Sequence, residues 1–295
     1  MRVLLRDLDN TGFGNLALMK LSAWHKRRGD QVFLSQAPAW DSSYVSCVFT
    51  INAKEEECPP GAEIGGTGFK ANGWLPPEVE HIMPDYSVYG QDLGYSTGFT
   101  SRGCIRRCPW CVVHEKEGGI KPWAEIYEFW DRHHHDRIRL LDNNLLASPN
   151  WRETMEAVIR ERLLVDFNQG LDIRLVTDEV ASYLKRVGRC TKLRFSFDEW
   201  SNHEAVREGI RRLVEAGLYA SQLHFYLLLG FTQDPDGDYA RLDLLREFGC
   251  SIFPMVYIDG DGVVHPPARG PIPKDMHGDR NRMRKLARLK GVVTH

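Results

Sequence analysis

The sequence contains no run of about 20 apolar residues, the length that a membrane-spanning helix needs. Neither sign of charge is in large excess, since 38 lysines and arginines stand against 40 aspartates and glutamates. The opening Met-Arg-Val-Leu-Leu-Arg-Asp is too charged, and its apolar run too short, for a secretion signal. We therefore expect a cytoplasmic protein without a membrane partner. The net charge of −2 does not indicate a nucleic-acid partner.

Three of the seven cysteines lie close together, and the odd total does not fit a disulfide framework. They are Cys104, Cys108 and Cys111, separated by three and then two residues. Thiolates are soft ligands that suit zinc or iron–sulfur clusters. Structural zinc takes four protein ligands, often from paired Cys-x2-Cys arms, and the sequence has no second such pair. The spacing favours a [4Fe–4S] cluster, and a zinc-binding adaptor protein is the alternative.

Apolar runs alternate with segments of helical periodicity along most of the chain. Within residues 1–95, strands are expected at 2–6, 31–35, 44–50 and 62–64, with a helix at 15–28. Residues 69–95, rich in Pro, Gly and Tyr, predict a linker. Further on, strands are expected at 97–102, 137–141, 164–167, 192–197, 222–229 and 251–258, and helices at 123–133, 150–162, 178–187, 202–216 and 239–248.

This alternation predicts an α/β fold with parallel strands, in which ligands bind at the C-terminal ends of the strands. The cysteine segment follows the first strand of the second series, so we expect it at that end. Polar residues or glycine follow the next four strands as well. The candidates for cofactor binding there are Asp142, Asn143, Asn144, Gln169, Asp172, Arg174, Ser196, Asp198 and Gly230.

Cys-x3-Cys-x2-Cys with Trp110 before the last cysteine resembles the signature of the radical S-adenosylmethionine (radical SAM, or AdoMet) superfamily. The resemblance implies that Cys104, Cys108 and Cys111 ligate a [4Fe–4S] cluster whose fourth iron binds the amine and carboxylate of S-adenosyl-L-methionine. It implies reductive cleavage of AdoMet to a 5′-deoxyadenosyl radical that abstracts hydrogen from an unidentified substrate. It also implies an external electron donor such as flavodoxin or ferredoxin.

The same resemblance implies a division into three parts. Residues 1–95 resemble a short, cobalamin-binding-like α/β domain of Rossmann type with its linker. Residues 96–258 match a partial (β/α)6 barrel of TIM type, the radical SAM core. Residues 259–295 form a C-terminal tail with a basic helix at 280–290.

Roles for the strand-end residues follow from the resemblance. Asp142-Asn143-Asn144 lies where the family receives the AdoMet amino group, and a plain turn is the alternative. Gln169, Asp172 and Arg174 are candidates for the AdoMet carboxylate and ribose, or for the substrate, unless they form only a salt bridge at the rim. For the ribose hydroxyls the candidates are Ser196 and Asp198, and for the adenine they include Gly230.

A cobalamin-dependent radical SAM methyltransferase is the rival enzyme interpretation. It needs a base-off cobalamin site. The sequence contains no Asp-x-His-x-x-Gly segment that would supply a lower axial histidine. We therefore predict that the chain does not bind cobalamin tightly.

Overall fold

The computed structural model describes residues 1–69, 74–232, 234–259 and 263–265. The chain divides into two compact units. The first comprises residues 1–98 and 124–139, and the second comprises residues 99–123 and the chain from residue 140 onward. The predicted basic helix at 280–290 lies outside the described residues. Within the described ranges, no helix is both long and apolar enough to cross a membrane.

Strands and helices alternate in both units. The strands are β1 (Arg2–Asp7), β2 (Gln31–Leu34), β3 (Ser42–Ser46), β4 (Glu63–Gly65), β5 (Ser96–Gly98), β6 (Ser101–Arg102), β7 (Lys121–Pro122), β8 (Arg137–Leu140), β9 (Leu164–Phe167), β10 (Gly188–Arg189), β11 (Leu193–Ser196), β12 (Leu223–Leu229), β13 (Ser251–Ile258) and β14 (Val264–His265). The helices are α1 (Leu16–Arg27), α2 (Pro77–Glu80), α3 (Val113–Lys116), α4 (Trp151–Arg160), α5 (Asp178–Arg186), α6 (His203–Glu215) and α7 (Pro235–Glu247).

The first unit is built on a parallel sheet with the strand order β2-β1-β3-β4. Val3 and Leu5 of β1 lie on one face of the sheet, because side chains alternate along a strand, and they pack against Leu18 and Leu21 of α1. Burying each such side chain stabilises the unit by about 1.5–3 kcal/mol. The predicted strand, helix and strand between residues 2 and 35 are confirmed.

The strand predicted at 44–50 ends at Ser46. The cause is Asp9, whose carboxylate accepts the backbone N–H groups of Val48 (2.5 Å) and Phe49 (3.1 Å). These groups would otherwise be available to a neighbouring strand. A side chain that follows β1 therefore ends β3.

The prediction of a helix at 123–133 is wrong. The chain forms only a single 3-10 turn at Ile126–Glu128, closed by a reciprocal capping box with Glu125. Beyond it, the hydroxyl of Tyr86 donates to the carbonyl of Phe129 at 2.5 Å. That carbonyl is thereby engaged by a side chain, so tertiary contacts override the local helical pattern.

The second unit contains a sheet in which β11, β12 and β13 are parallel and β14 is antiparallel to β13. The segments that follow β9 and β11 donate backbone hydrogen bonds to neighbouring strands. The N–H of Asn168 donates to Leu140 of β8, that of Leu171 to Arg194 of β11, and that of Phe197 to Tyr226 of β12. The C-terminal ends of β8, β9, β11 and β12 thus form a continuous edge. The candidate cofactor residues lie along this edge.

Candidate functional site

The loop that carries the cysteines is closed by the chain's own atoms. Gly103 has a φ of +80°, and a β-carbon there would overlap the carbonyl oxygen of Gly119. Its N–H donates to Glu117 Oε2 at 3.0 Å, and the N–H of Cys104 donates to the carbonyl of Gly118 at 3.3 Å. The two ends of the loop are therefore held side by side, and a side chain at position 103 would separate them.

Cys104, Cys108 and Cys111 are all partly buried. Burial raises the pKa of Cys108, and the nearby Cys111 and Cys104 raise it further. The pKa of Cys111 is also raised, again mainly by burial. The three thiols are thus close enough to influence one another. In the conformation described, no three His, Cys, Asp or Glu residues of the described ranges converge around a metal position. The ligand assignments therefore remain predictions.

The sulfur of Cys104 accepts two hydrogen bonds. One comes from the backbone N–H of Arg106 at 3.3 Å and the other from Asn144 Nδ2 at 3.4 Å. Asn144 Oδ1 is buried and accepts no hydrogen bond from any described residue. A buried acceptor without a donor is costly, so this oxygen is suited to a ligand that brings an N–H or O–H group.

Asp142 is 4% exposed, and its carboxylate is directed at the chain that enters the cysteine loop. It accepts hydrogen bonds from the N–H groups of Thr100 (3.2 Å) and Ser101 (2.5 Å) and from both of their hydroxyls. Burial raises its pKa. These bonds also divide the strand predicted at 97–102 into β5 and β6. The observed contacts of Asp142 position the loop, and its role toward AdoMet remains a prediction.

Asp172 lies between two arginines. Arg174 bonds both of its carboxylate oxygens, at 2.6 and 3.1 Å, and Arg106 Nε lies 2.9 Å from Oδ2. Burial alone would raise the pKa of Asp172, but the two guanidinium groups outweigh it and the pKa is lowered. The rim salt bridge considered from the sequence is therefore present.

The remaining candidates lie along the same edge. Gln169 and Ser196 are exposed, and Asp198 accepts the N–H of Leu228 at 2.9 Å. Burial raises the pKa of Asp198. Gly230 has a φ of +80°, and a β-carbon on it would overlap the carbonyl oxygen of His265. The structure thus places these four residues at the ends of β9, β11 and β12, as expected, and their cofactor roles stay predictions.

Comparison with known proteins finds a similar fold among solved structures. No family model and no curated protein matches the sequence. By structure, the chain is similar to the cobalamin-dependent S-adenosylmethionine radical enzyme OxsB, solved with aqua-cobalamin and S-adenosylmethionine bound and with aqua-cobalamin alone. Both comparisons give a TM-score of 0.56 at 13% identity, covering 97% of this chain and 56% of the other.

The chain has the fold of a radical AdoMet enzyme. It spans little more than half the length of these neighbours. At 13% identity the likeness concerns the fold alone. At the level of the fold, the likeness agrees with the resemblance to radical AdoMet proteins that Cys104, Cys108 and Cys111 indicated.

Glu117 is a site residue that the sequence did not indicate. Besides Gly103, it accepts a hydrogen bond from Asn143 Nδ2 at 2.7 Å, and it lies 3.5 Å from Arg102. It therefore ties the cysteine loop to the segment after β8. No motif identifies it, because its partners are distant in sequence.

The sequence also did not indicate a buried ion pair on α7. Asp238 and Arg241 are 2% and 1% exposed and bond to each other. Asp238 accepts the N–H of Gly230 at 2.8 Å, while Arg241 donates to the carbonyls of Phe197 (2.5 Å) and Leu228 (2.9 Å). The pair thus fixes the ends of β11 and β12. Its sequence signal is an Asp and an Arg three residues apart on a helix beside buried leucines.

An aromatic row joins the cysteine loop to the ends of β12 and β13. The ring centres of Trp110 and Phe231 are 4.8 Å apart, and those of Phe231 and Tyr257 are also 4.8 Å apart, both edge to face. Edge-to-face pairs stabilise by about 0.5–1.5 kcal/mol beyond the area they bury. The row gives the loop an apolar contact on the side of β12 and β13.

Proposed function

We propose that this chain is a radical AdoMet enzyme in which Cys104, Cys108 and Cys111 hold a [4Fe–4S] cluster that binds S-adenosyl-L-methionine. The observation that carries the proposal is the cysteine loop, which is closed by protein contacts and lies at the strand-end edge. The donor set fits this cofactor pair. Thiols are the ligands of iron–sulfur clusters, and the buried Asn144 Oδ1 accepts no hydrogen bond from any described residue.

When bound, the cluster and AdoMet supply a 5′-deoxyadenosyl radical that abstracts hydrogen from a substrate. The chain's own residues would bind AdoMet and orient the cysteine loop. Asp142 and Glu117 hold the cysteine loop, and Arg174 offers charge to a carboxylate. Asp198 offers an acceptor to ribose hydroxyls. An electron donor such as flavodoxin or ferredoxin would supply the electron that reduces the cluster.

The finer architecture belongs to this proposal. Residues 96–258 would form a partial (β/α)6 barrel, preceded by a Rossmann-like domain over residues 1–95. The parallel pairing of β11 with β12 and of β12 with β13 supports it. So does the parallel bridge between Leu171 and Phe195, which joins the segment after β9 to β11.

We expect the anaerobically reconstituted and reduced protein to convert AdoMet to 5′-deoxyadenosine and methionine, slowly even without substrate. The reason is that AdoMet cleavage requires only the cluster, an electron and bound AdoMet. Both products are measured by liquid chromatography and mass spectrometry. A Cys108→Ala variant, prepared identically, is the control and should form neither. A protein with a full cluster and bound AdoMet that forms no 5′-deoxyadenosine would contradict the proposal.

A cobalamin-dependent reaction is the second candidate, favoured by the ligand of the structural neighbours. Open α/β sheets bind ligands where the strand order reverses, which here lies between β1 and β3. The chain's own groups bond to each other at that position. Tyr89 donates to Asp7 at 2.7 Å and accepts the N–H of Asn15 at 2.9 Å, and Asn15 Nδ2 donates to Ser46 at 2.9 Å.

We expect no tight cobalamin binding, because a ligand at this position would have to break the contacts of Tyr89. Titration with hydroxocobalamin should leave its visible spectrum unchanged at equimolar protein. A Tyr89→Phe variant, which lacks the hydroxyl, tests whether these contacts close the site. A stoichiometric base-off spectrum with the wild-type protein would instead establish the cobalamin-dependent candidate.

A further inference from the structure

Asn144 differs from its two neighbours in what it contacts. Asp142 bonds the entry to the cysteine loop and Asn143 bonds Glu117, whereas Asn144 reaches a cysteine sulfur. Its side chain is 3% exposed, and Nδ2 lies 3.4 Å from both Cys104 Sγ and Asp172 Oδ2. The amide is therefore shared between a sulfur of the proposed cluster and the carboxylate beside it.

The network fixes the orientation of this amide. Asp172 is held by Arg106 and Arg174, and its pKa is lowered, so its carboxylate is ionised and can only accept hydrogen bonds. The nitrogen end of Asn144 must therefore face Asp172, since the oxygen end would meet the negative charge. Cys104 Sγ lies at the same distance from this nitrogen, so it too faces an N–H group.

An N–H group directed at a cluster-ligating sulfur stabilises the reduced cluster, which carries one more negative charge. Cys104 receives two such groups, from the backbone of Arg106 and from Asn144 Nδ2. Only the second can be removed by substitution. We propose that Asn144 is a positioning residue that raises the reduction potential of the cluster by hydrogen-bonding the sulfur of Cys104. This inference rests on the proposed function.

The test compares Asn144→Leu with Asn143→Leu, a control at the adjacent position, whose side chain bonds Glu117. Both proteins are loaded with iron and sulfide, and the cluster is titrated potentiometrically without AdoMet, with the reduced form followed by electron paramagnetic resonance. For Asn144→Leu we expect about a tenfold smaller equilibrium constant for one-electron reduction, which corresponds to about 59 mV. Asn143→Leu should change it less than twofold.

An Asn144→Asp variant keeps the oxygen but loses the N–H and should shift at least as far as Asn144→Leu. If a variant loads less iron, its potential is still read, because the resonance signal reports only loaded protein. A potential unchanged in Asn144→Leu, or lowered equally in Asn143→Leu, would overturn the inference. Absence of a cluster from the wild-type protein would overturn the proposed function itself, and iron analysis distinguishes this outcome.

Discussion

Changing Cys104, Cys108 and Cys111 together to alanine is expected to remove essentially all iron from the reconstituted protein. The wild-type chain should hold about four irons, the content of one [4Fe–4S] cluster. The triple variant should hold close to none, because the thiols that would replace the missing ligands lie elsewhere or resist ionisation. Iron and sulfide analysis, together with the visible spectrum, measures the loss.

Two of the four remaining cysteines, Cys47 and Cys250, provide the control. Burial raises the pKa of Cys47 to about 12, and burial raises that of Cys250 to about 12 as well. The thiolate is the form that binds metal, so these two are poor ligands. A Cys47→Ala, Cys250→Ala variant should retain full iron content. If the triple variant still carried a cluster, a second cluster site would exist, and the prediction of a single cluster would be wrong.

Replacing Asp238 with alanine is expected to lower the free energy of unfolding by about 3–5 kcal/mol. The change leaves the guanidinium of Arg241 buried without its carboxylate and removes the acceptor of the Gly230 N–H. Urea titration should show the transition midpoint shifted to lower concentration at unchanged slope.

Asp243→Ala is the matched control. Asp243 also lies on α7 and also pairs with an arginine three residues later, Arg246 at 3.2 Å, but its side chain is 70% exposed. Exposed pairs contribute about 0–1 kcal/mol. A double change, Asp238→Leu with Arg241→Met, should recover part of the loss, because it removes both buried charges. Equal effects of Asp238→Ala and Asp243→Ala would contradict the burial of the first pair.

Much of the fold was predictable because its signals are local. The strands at 164–167 and 222–229 and the helices at 178–187 and 202–216 were predicted to within one or two residues of β9, β12, α5 and α6. Hydrophobic periodicity and capping residues such as Thr177, which accepts the N–H of Val180, are properties of short segments. The placement of polar residues at strand ends followed from the same alternation.

What the sequence did not reveal depends on partners far away in the chain. The segment 123–133 has a helical pattern, yet Tyr86 binds its backbone across 43 residues. Asp142 is a polar residue after a strand, and nothing local shows that Thr100 and Ser101 occupy its oxygens. A pattern locates a side chain on the fold, whereas its hydrogen-bond partners are determined only when distant segments meet.

In zinc fingers, folding and metal binding occur together. The cysteine loop of this chain is closed by Glu117 instead, so its folding is separate from the binding of a metal. In those domains the metal supplies the folding free energy, and the chain without metal is unfolded. Here Gly103, Glu117 and Gly119 join the base of the loop through protein contacts alone. The contacts at the base of the loop do not involve the thiol groups of the three cysteines, so a chain without the proposed cluster is expected to keep its fold.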